Sequence, residues 1–174
     1  LWIAIFLGRI QVPLPMSPLL WHAHEMLFGF AAGVVVGFLL TAVKAWTGLE
    51  TARGPLLGAL ALLWLAARLA SLVAPYAVYA TLDMLLLPAV AAVLLRVLIK
   101  AGNKRNIPLI CLLLLMAAAN LVFHLSVLGI VAVPAVSAVY GGLGLIPMGG
   151  GGVARRGGAM FSGNATPGLG INMP

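Results

Sequence analysis

The chain has 174 residues, of which 63% are hydrophobic and only 7% are charged, and its mean hydropathy is +1.16. Typical soluble domains contain about 25% charged residues, so this composition excludes that class and predicts an integral membrane protein. The net charge of +7 does not indicate nucleic-acid binding, because the basic residues lie in short loops between apolar runs and form no patch with aromatic residues.

Apolar runs bounded by prolines and polar residues predict an all-α fold. The predicted architecture is a polytopic transmembrane helix bundle with about four complete spans and partial or irregular spans at each end. Residues 1–7 are typical of the last turns of a membrane helix that begins upstream, and Ser17 and Pro18 then supply a helix cap and a helix-first proline. The bundle is predicted over residues 1–148, with spans at about 18–43, 55–73, 76–99 and 107–130 and a weak fifth segment at 131–148.

Basic residues orient these spans. The regions after the first, third and fifth segments contain eight of the ten lysines and arginines, whereas the turn at Pro75 is uncharged. By the positive-inside rule the basic regions are cytoplasmic and the Pro75 turn is external. The glycine-rich residues 149–174 are predicted to form a flexible cytoplasmic loop or tail.

The chain contains a single cysteine, Cys111, so an internal disulfide is excluded. Because it lies within an apolar run, its side chain is predicted to be buried.

Ionisable residues inside the predicted spans lie at one depth near the outer face. Arg68 is seven residues before Pro75 and Asp83 is eight residues after it, so both lie about 11 Å below the turn. An unpaired charge at that depth is costly, and we therefore expect Arg68 and Asp83 to pair. A structural clamp between two helices is the simpler interpretation, and contact with a cofactor or a moving proton is the alternative.

The three histidines of the chain, His22, His24 and His124, belong to the same layer and are candidate ligands for a metal ion or haem. Satisfied structural histidines are the alternative. In a regular helix His22 lies on the side of the glycines at 29, 33 and 37, whereas His24 points roughly opposite. His22 and His124 therefore rank above His24 if the helix is regular, and an irregular first turn would reverse that order. The residues predicted to contact or orient these ligands are Glu25, Met26, Asn120, Arg68 and Asp83.

The glycines at spacing four, Gly29, Gly33 and Gly37, allow two interpretations. They let another helix approach closely, or they leave room for a flat macrocycle beneath His22.

The segment 21–32, which reads WHAHEMLFGFAA, resembles the opening of the NnrS family, as do residues 37–43 and 46–48. The resemblance extends through residues 63–70, Asp83 and residues 120–125, and is weakest over the expanded glycine-rich stretch at 149–158. It implies a bacterial inner-membrane, multi-pass protein that contains haem and copper and is linked to nitric oxide. Family members have more spans than this chain can hold, so the resemblance implies that the chain is the N-terminal half.

The leading function is therefore a haem- or copper-binding inner-membrane protein of nitric oxide metabolism or nitrosative-stress resistance. Its expected partners are the lipid bilayer, the remaining half of the full-length protein and nitric oxide, with no nucleic acid. The alternative is a transporter or proton-path protein that uses Arg68, Asp83 and the histidines. A membrane scaffold is a third possibility, and whether the protein is catalytic stays open.

Overall fold

The described part of the chain is an all-α bundle with four helices long and apolar enough to cross a membrane, as predicted. The computed structural model describes residues 2–12, 14 and 16–148, and this part of the chain contains helices and no strand. The prediction for residues 149–174 lies outside the described residues.

The helices follow one another with short connections. In chain order they are α1 (Trp2–Phe6), α2 (Pro18–His24), a π-helix (Glu25–Ala31), α3 (Ala32–Thr47), α4 (Pro55–Val73), α5 (Tyr76–Lys100), a 3₁₀ turn (Lys104–Asn106), α6 (Ile107–Val127) and α7 (Ala135–Met148). The α2 helix, the π-helix and α3 are continuous and form the first span, Pro18–Thr47, of 30 residues.

Local sequence explains where the first span begins and ends. The Ser17 hydroxyl accepts a hydrogen bond from the Leu20 amide (3.4 Å), and Pro18 occupies the first helical position. The span ends at Gly48, which has φ 68° and donates its amide to the Lys44 carbonyl. The span runs four residues beyond the predicted end, and Lys44 in its last turn pairs with Glu50 at 2.9 Å.

The α4 and α5 helices are joined only by Ala74 and Pro75, so they pack as antiparallel neighbours. The start and end of α4 coincide with the predicted 55–73. The α6 helix ends three residues before the predicted 130, because Gly129 (φ 71°) closes it: the Gly129 and Ile130 amides donate to Ser126 and Leu125 carbonyls, which is a Schellman motif.

The weak fifth segment forms α7, which is too short to cross a bilayer as a straight helix. It begins after Pro134. At Gly142 the helix approaches the first span so closely that a Cβ atom would lie 2.9 Å from side-chain atoms of both Leu27 and Phe28.

The core lies between α3, α5 and α6, where Val90, Leu94, Leu113 and Met116 have no exposed surface. Cys111, also on α6, is exposed, so the prediction that it is buried is wrong. Around Cys111 the helix is apolar on all sides, and only Asn120 and His124, further along α6, mark its buried side.

Candidate metal centre

Two histidines and one carboxylate from three helices converge inside the bundle. His24 ends α2, Asp83 lies on α5 and His124 lies on α6, and at most 4% of the surface of each residue is exposed. The Oδ2 atom of Asp83 lies 3.5 Å from His24 Nε2 and 3.2 Å from His124 Nε2. One potential ligand atom from each residue lies within 4.8 Å of the other two, so this set could hold a metal ion.

The π-helix that begins at Glu25 explains the position of His24. In a π-helix the backbone hydrogen bond joins residues i and i+5, so these two residues lie on one side of the helix. His24 is thereby turned toward the side of Gly29, whereas a regular α-helix would separate them. The expectation that His24 points away from the other polar groups is wrong for this reason.

Arg68 holds two carboxylates at once. Its Nη2 atom donates to Asp83 Oδ1, so the predicted pair is present, and its Nη1 atom donates to Glu25 Oε2 at 2.7 Å. Gly29 makes room for this guanidinium, because a Cβ atom there would lie 2.3 Å from Nη1. Within the described residues the buried Arg68 Nε has no hydrogen-bond partner. The glycine at 29 therefore serves the ion pairs as well as helix packing.

Asn120 connects two members of the set. Its Nδ2 group donates to Asp83 Oδ2 at 2.7 Å, and its Oδ1 atom lies 2.8 Å from His24 Nε2. Asn120 therefore pairs with residues on two other helices, and in the described part of the chain no hydrogen bond joins it to the ring of His124, one turn away on its own helix.

Two tyrosines complete the network, and neither was predicted as a site residue. The Tyr79 hydroxyl lies 2.8 Å from His24 Nδ1 and donates to Glu25 Oε1 at 3.0 Å. The Tyr76 hydroxyl lies 2.8 Å from His124 Nδ1. Their spacing carried a signal, because positions four and seven residues before Asp83 share its side of a helix.

Aromatic rings enclose His24. The ring centroids of Phe28 and Phe123 lie 5.1 and 4.3 Å from that of His24, and the His124 ring is in edge contact at 5.2 Å. Because both Nε2 atoms face the same Asp83 oxygen, the two imidazoles leave no space between them for the plane of a macrocycle. The set suits a small ion.

Two predicted site residues lie outside this cluster. His22 is partly buried and stacks on Trp2, with ring centroids 4.2 Å apart and planes 3° apart. Met26 is 47% exposed. The structure thus brings together His24, His124, Glu25, Arg68, Asp83 and Asn120, and does not bring His22 or Met26 to them.

Gly33 and Gly37 line an apolar groove of about 400 Å³ between the first span and α4. Trp64 forms one wall, and its indole Nε1 donates to the Gly29 carbonyl at 2.8 Å. The groove is lined by aliphatic and aromatic residues and no histidine. A macrocycle placed there would therefore find no imidazole ligand among the lining residues.

The sequence matches the protein family described as NnrS protein over residues 1–174. The chain belongs to the NnrS family. No curated protein and no solved structure matches it significantly. The segments that carry the NnrS resemblance supply the polar cluster: the opening motif contributes His24 and Glu25, and the later segments contribute Arg68, Asp83, Asn120 and His124.

Proposed function

We propose that this chain is part of a haem- or copper-binding bacterial inner-membrane protein of nitric oxide metabolism or nitrosative-stress resistance, and that His24, Asp83 and His124 bind a copper ion. The observation that carries the proposal is the convergence of two imidazoles and a carboxylate within 4.8 Å in the interior of a membrane bundle. Ionisable groups inside a membrane are costly and commonly mark functional sites.

The charge of the cluster supports a monovalent cation. With both imidazoles neutral, one positive group, Arg68, faces two negative groups, Glu25 and Asp83, so the formal charge is −1. An uncompensated charge away from water is unfavourable. A Cu(I) ion would neutralise the cluster, and imidazole is a suitable ligand for copper.

Haem fits this cluster less well. The rings of His24 and His124 are in contact, and Asp83 faces both Nε2 atoms, so the two histidines cannot lie on opposite faces of one macrocycle. His22, which stacks on Trp2 outside the cluster, is the remaining candidate for a haem ligand. We therefore assign copper to the cluster and leave haem to His22 and to groups beyond these residues.

A bound copper ion would supply a coordination position for nitric oxide, an uncharged molecule that enters lipid readily. The residues of the chain have separate tasks. His24, His124 and Asp83 would hold the ion, Arg68 balances the two carboxylates, and the surrounding rings of Phe28 and Phe123 exclude water. In the orientation that the positive-inside rule predicts, this cluster lies near the external face.

The test is the metal content of the full-length protein purified in detergent. We expect His24→Ala and His124→Ala to lose copper, while His22→Ala, the matched control, retains copper and loses iron if it ligates haem. Unchanged copper in both His24→Ala and His124→Ala would exclude the proposed site.

One observation favours the alternative proton-path function. A continuous series of hydrogen-bond contacts crosses the cluster. In order, it joins Tyr76, His124, Asp83, Asn120, His24, Tyr79 and Glu25. The amide of Asn120 does not relay protons, but His24 Nε2 also lies 3.5 Å from Asp83 Oδ2, so carboxylates and histidines can pass a proton along the series without it. A colourless, metal-free protein that carries protons across liposome membranes would favour this function over metal binding.

A further inference from the structure

We propose that Glu25 and Tyr79 are positioning residues that fix a proton on His24 Nδ1 and so present His24 Nε2 to the metal. The inference rests on the proposed metal site, and it adds two residues that would act on the ion only through His24.

The first step is the state of Glu25. The Arg68 guanidinium, which is always charged, donates to Glu25 Oε2 at 2.7 Å and so favours the ionised carboxylate. An ionised carboxylate only accepts hydrogen bonds. The single hydroxyl hydrogen of Tyr79 is therefore directed to Glu25 Oε1, 3.0 Å away.

The second step follows at the phenol oxygen. Since its hydrogen points to Glu25, Tyr79 can only accept from His24 Nδ1, which lies 2.8 Å away. The Nδ1 atom therefore carries a hydrogen, and the other ring nitrogen, Nε2, is left for a different partner.

That other nitrogen faces oxygen atoms. The Asn120 Nδ2 group donates to Asp83 Oδ2. This contact leaves the Asn120 Oδ1 atom facing His24 Nε2 at 2.8 Å. Asp83 Oδ2 lies 3.5 Å from the same nitrogen. Asn120 Oδ1 can only accept, so without an ion this contact is a hydrogen bond that His24 Nε2–H donates, and a positive ion held by Nε2 and Asp83 would displace that hydrogen while Nδ1 keeps its own.

Tyr76 provides a natural comparison. It contacts His124 Nδ1 at the same distance of 2.8 Å, but in the described part of the chain its hydroxyl has no second acceptor. It can donate or accept, so it does not fix the position of the His124 proton. The two tyrosines therefore make the same contact with a histidine. They differ because only the Tyr79 hydroxyl also contacts a carboxylate, that of Glu25.

The Glu25→Gln variant reverses this arrangement without deleting a side chain. Arg68 still requires an oxygen, so the new amide directs its oxygen to Arg68 and its nitrogen to Tyr79. Tyr79 then accepts from the amide and donates to His24 Nδ1, so His24 keeps a hydrogen on Nε2 alone, where Asn120 Oδ1 accepts it. Every hydrogen bond of the network stays satisfied, but His24 Nε2 now carries the only hydrogen of the ring and cannot bind a metal ion.

We would measure two properties of the full-length protein labelled with ¹⁵N-histidine. In the metal-free form, ¹⁵N spectra distinguish the protonated ring nitrogen: His24 should carry hydrogen on Nδ1 in the parent, and only on Nε2 in Glu25→Gln. In a competition assay with a Cu(I) chelator, Glu25→Gln and Tyr79→Phe should bind copper about 10- to 100-fold more weakly. Tyr76→Phe, the matched control, should lose clearly less.

A His24 that keeps its hydrogen on Nδ1 in Glu25→Gln would overturn the inference, and so would an equal loss of affinity in Tyr76→Phe and Tyr79→Phe. A parent protein that binds no copper at all would instead refute the proposed metal site. The spectra of the metal-free protein would still decide whether Glu25 and Tyr79 control the His24 proton.

Discussion

Arg68 on α4 donates to Asp83 on α5 across a connection of only two residues, Ala74 and Pro75. Equal distance from the turn places the two side chains at the same depth, and the second guanidinium nitrogen reaches Glu25 on the first span. The ion pairs of Arg68 therefore link three membrane helices.

This arrangement predicts unequal effects of removing the partners. Arg68→Leu leaves two buried carboxylates without their cation, whereas Asp83→Asn leaves Arg68 paired with Glu25. We expect Arg68→Leu to lower the free energy of unfolding by about 3–5 kcal/mol and Asp83→Asn to lower it less. Chemical unfolding in detergent measures both. A larger loss in Asp83→Asn would show that Glu25 does not share the guanidinium.

A second prediction concerns the close approach at Gly29. A Cβ atom there would lie 2.3 Å from Arg68 Nη1, whereas nothing lies within 4 Å of a Cβ atom at Gly37. We expect Gly29→Ala to destabilise the protein by about 1–3 kcal/mol. Gly37→Ala, in the same span, should be neutral or stabilise it by about 0.5–1 kcal/mol, because alanine favours a helix. Equal melting temperatures for the two variants would argue against the close approach of the Arg68 guanidinium to Gly29.

The packing of α7 gives a third prediction. At Gly142 a Cβ atom would lie 2.9 Å from Phe28, whose ring packs on His24 at 5.1 Å, whereas the neighbouring Gly141 has open space. Gly142→Val should therefore displace Phe28 and reduce bound copper, and Gly141→Val should not. Metal analysis of the two purified variants distinguishes them. Identical copper content would mean that α7 does not influence the cluster.

Membrane orientation is the fourth prediction. The loop around Asn103 is basic and should be cytoplasmic, while the Pro75 turn should be external. In intact cells an impermeant thiol reagent should modify a cysteine introduced next to Pro75 and not one introduced next to Asn103. The parent for both variants is Cys111→Ala, because Cys111 is exposed. The opposite labelling pattern would place the polar cluster near the cytoplasm.

Proline positions made the helix starts more predictable than the helix ends. Pro18 and Pro55 mark helix starts because the missing amide hydrogen is not needed there. Gly48 and Gly129 close helices in a left-handed conformation, and the predicted ends at 43 and 130 missed these two closures. The Arg68–Asp83 pair was also predictable, because a short turn fixes the relative depth of the residues on either side. These features depend on local chain geometry alone.

The rest of the cluster depends on contacts between distant segments. The π-helix at Glu25–Ala31 changes which side of the span His24 occupies, and no residue in that segment indicates a wider turn. Tyr79 was overlooked because a tyrosine in an apolar helix is usually a packing residue, and its role appears only beside Glu25 and His24. Sequence periodicity therefore identified the layer but assigned His24 to the wrong side.

The short connection between α4 and α5 also bears on how the chain enters the membrane. An arginine at the centre of a lone helix opposes insertion by about 2.5–3.5 kcal/mol, and Arg68, which lies nearer the end of α4, opposes it less strongly. Asp83 follows only 15 residues after Arg68 and becomes its partner as soon as the two helices fold back on each other. The insertion machinery would therefore accept α4 and α5 as one hairpin, and Glu25 on the already inserted first span would receive the second guanidinium nitrogen when the hairpin docks.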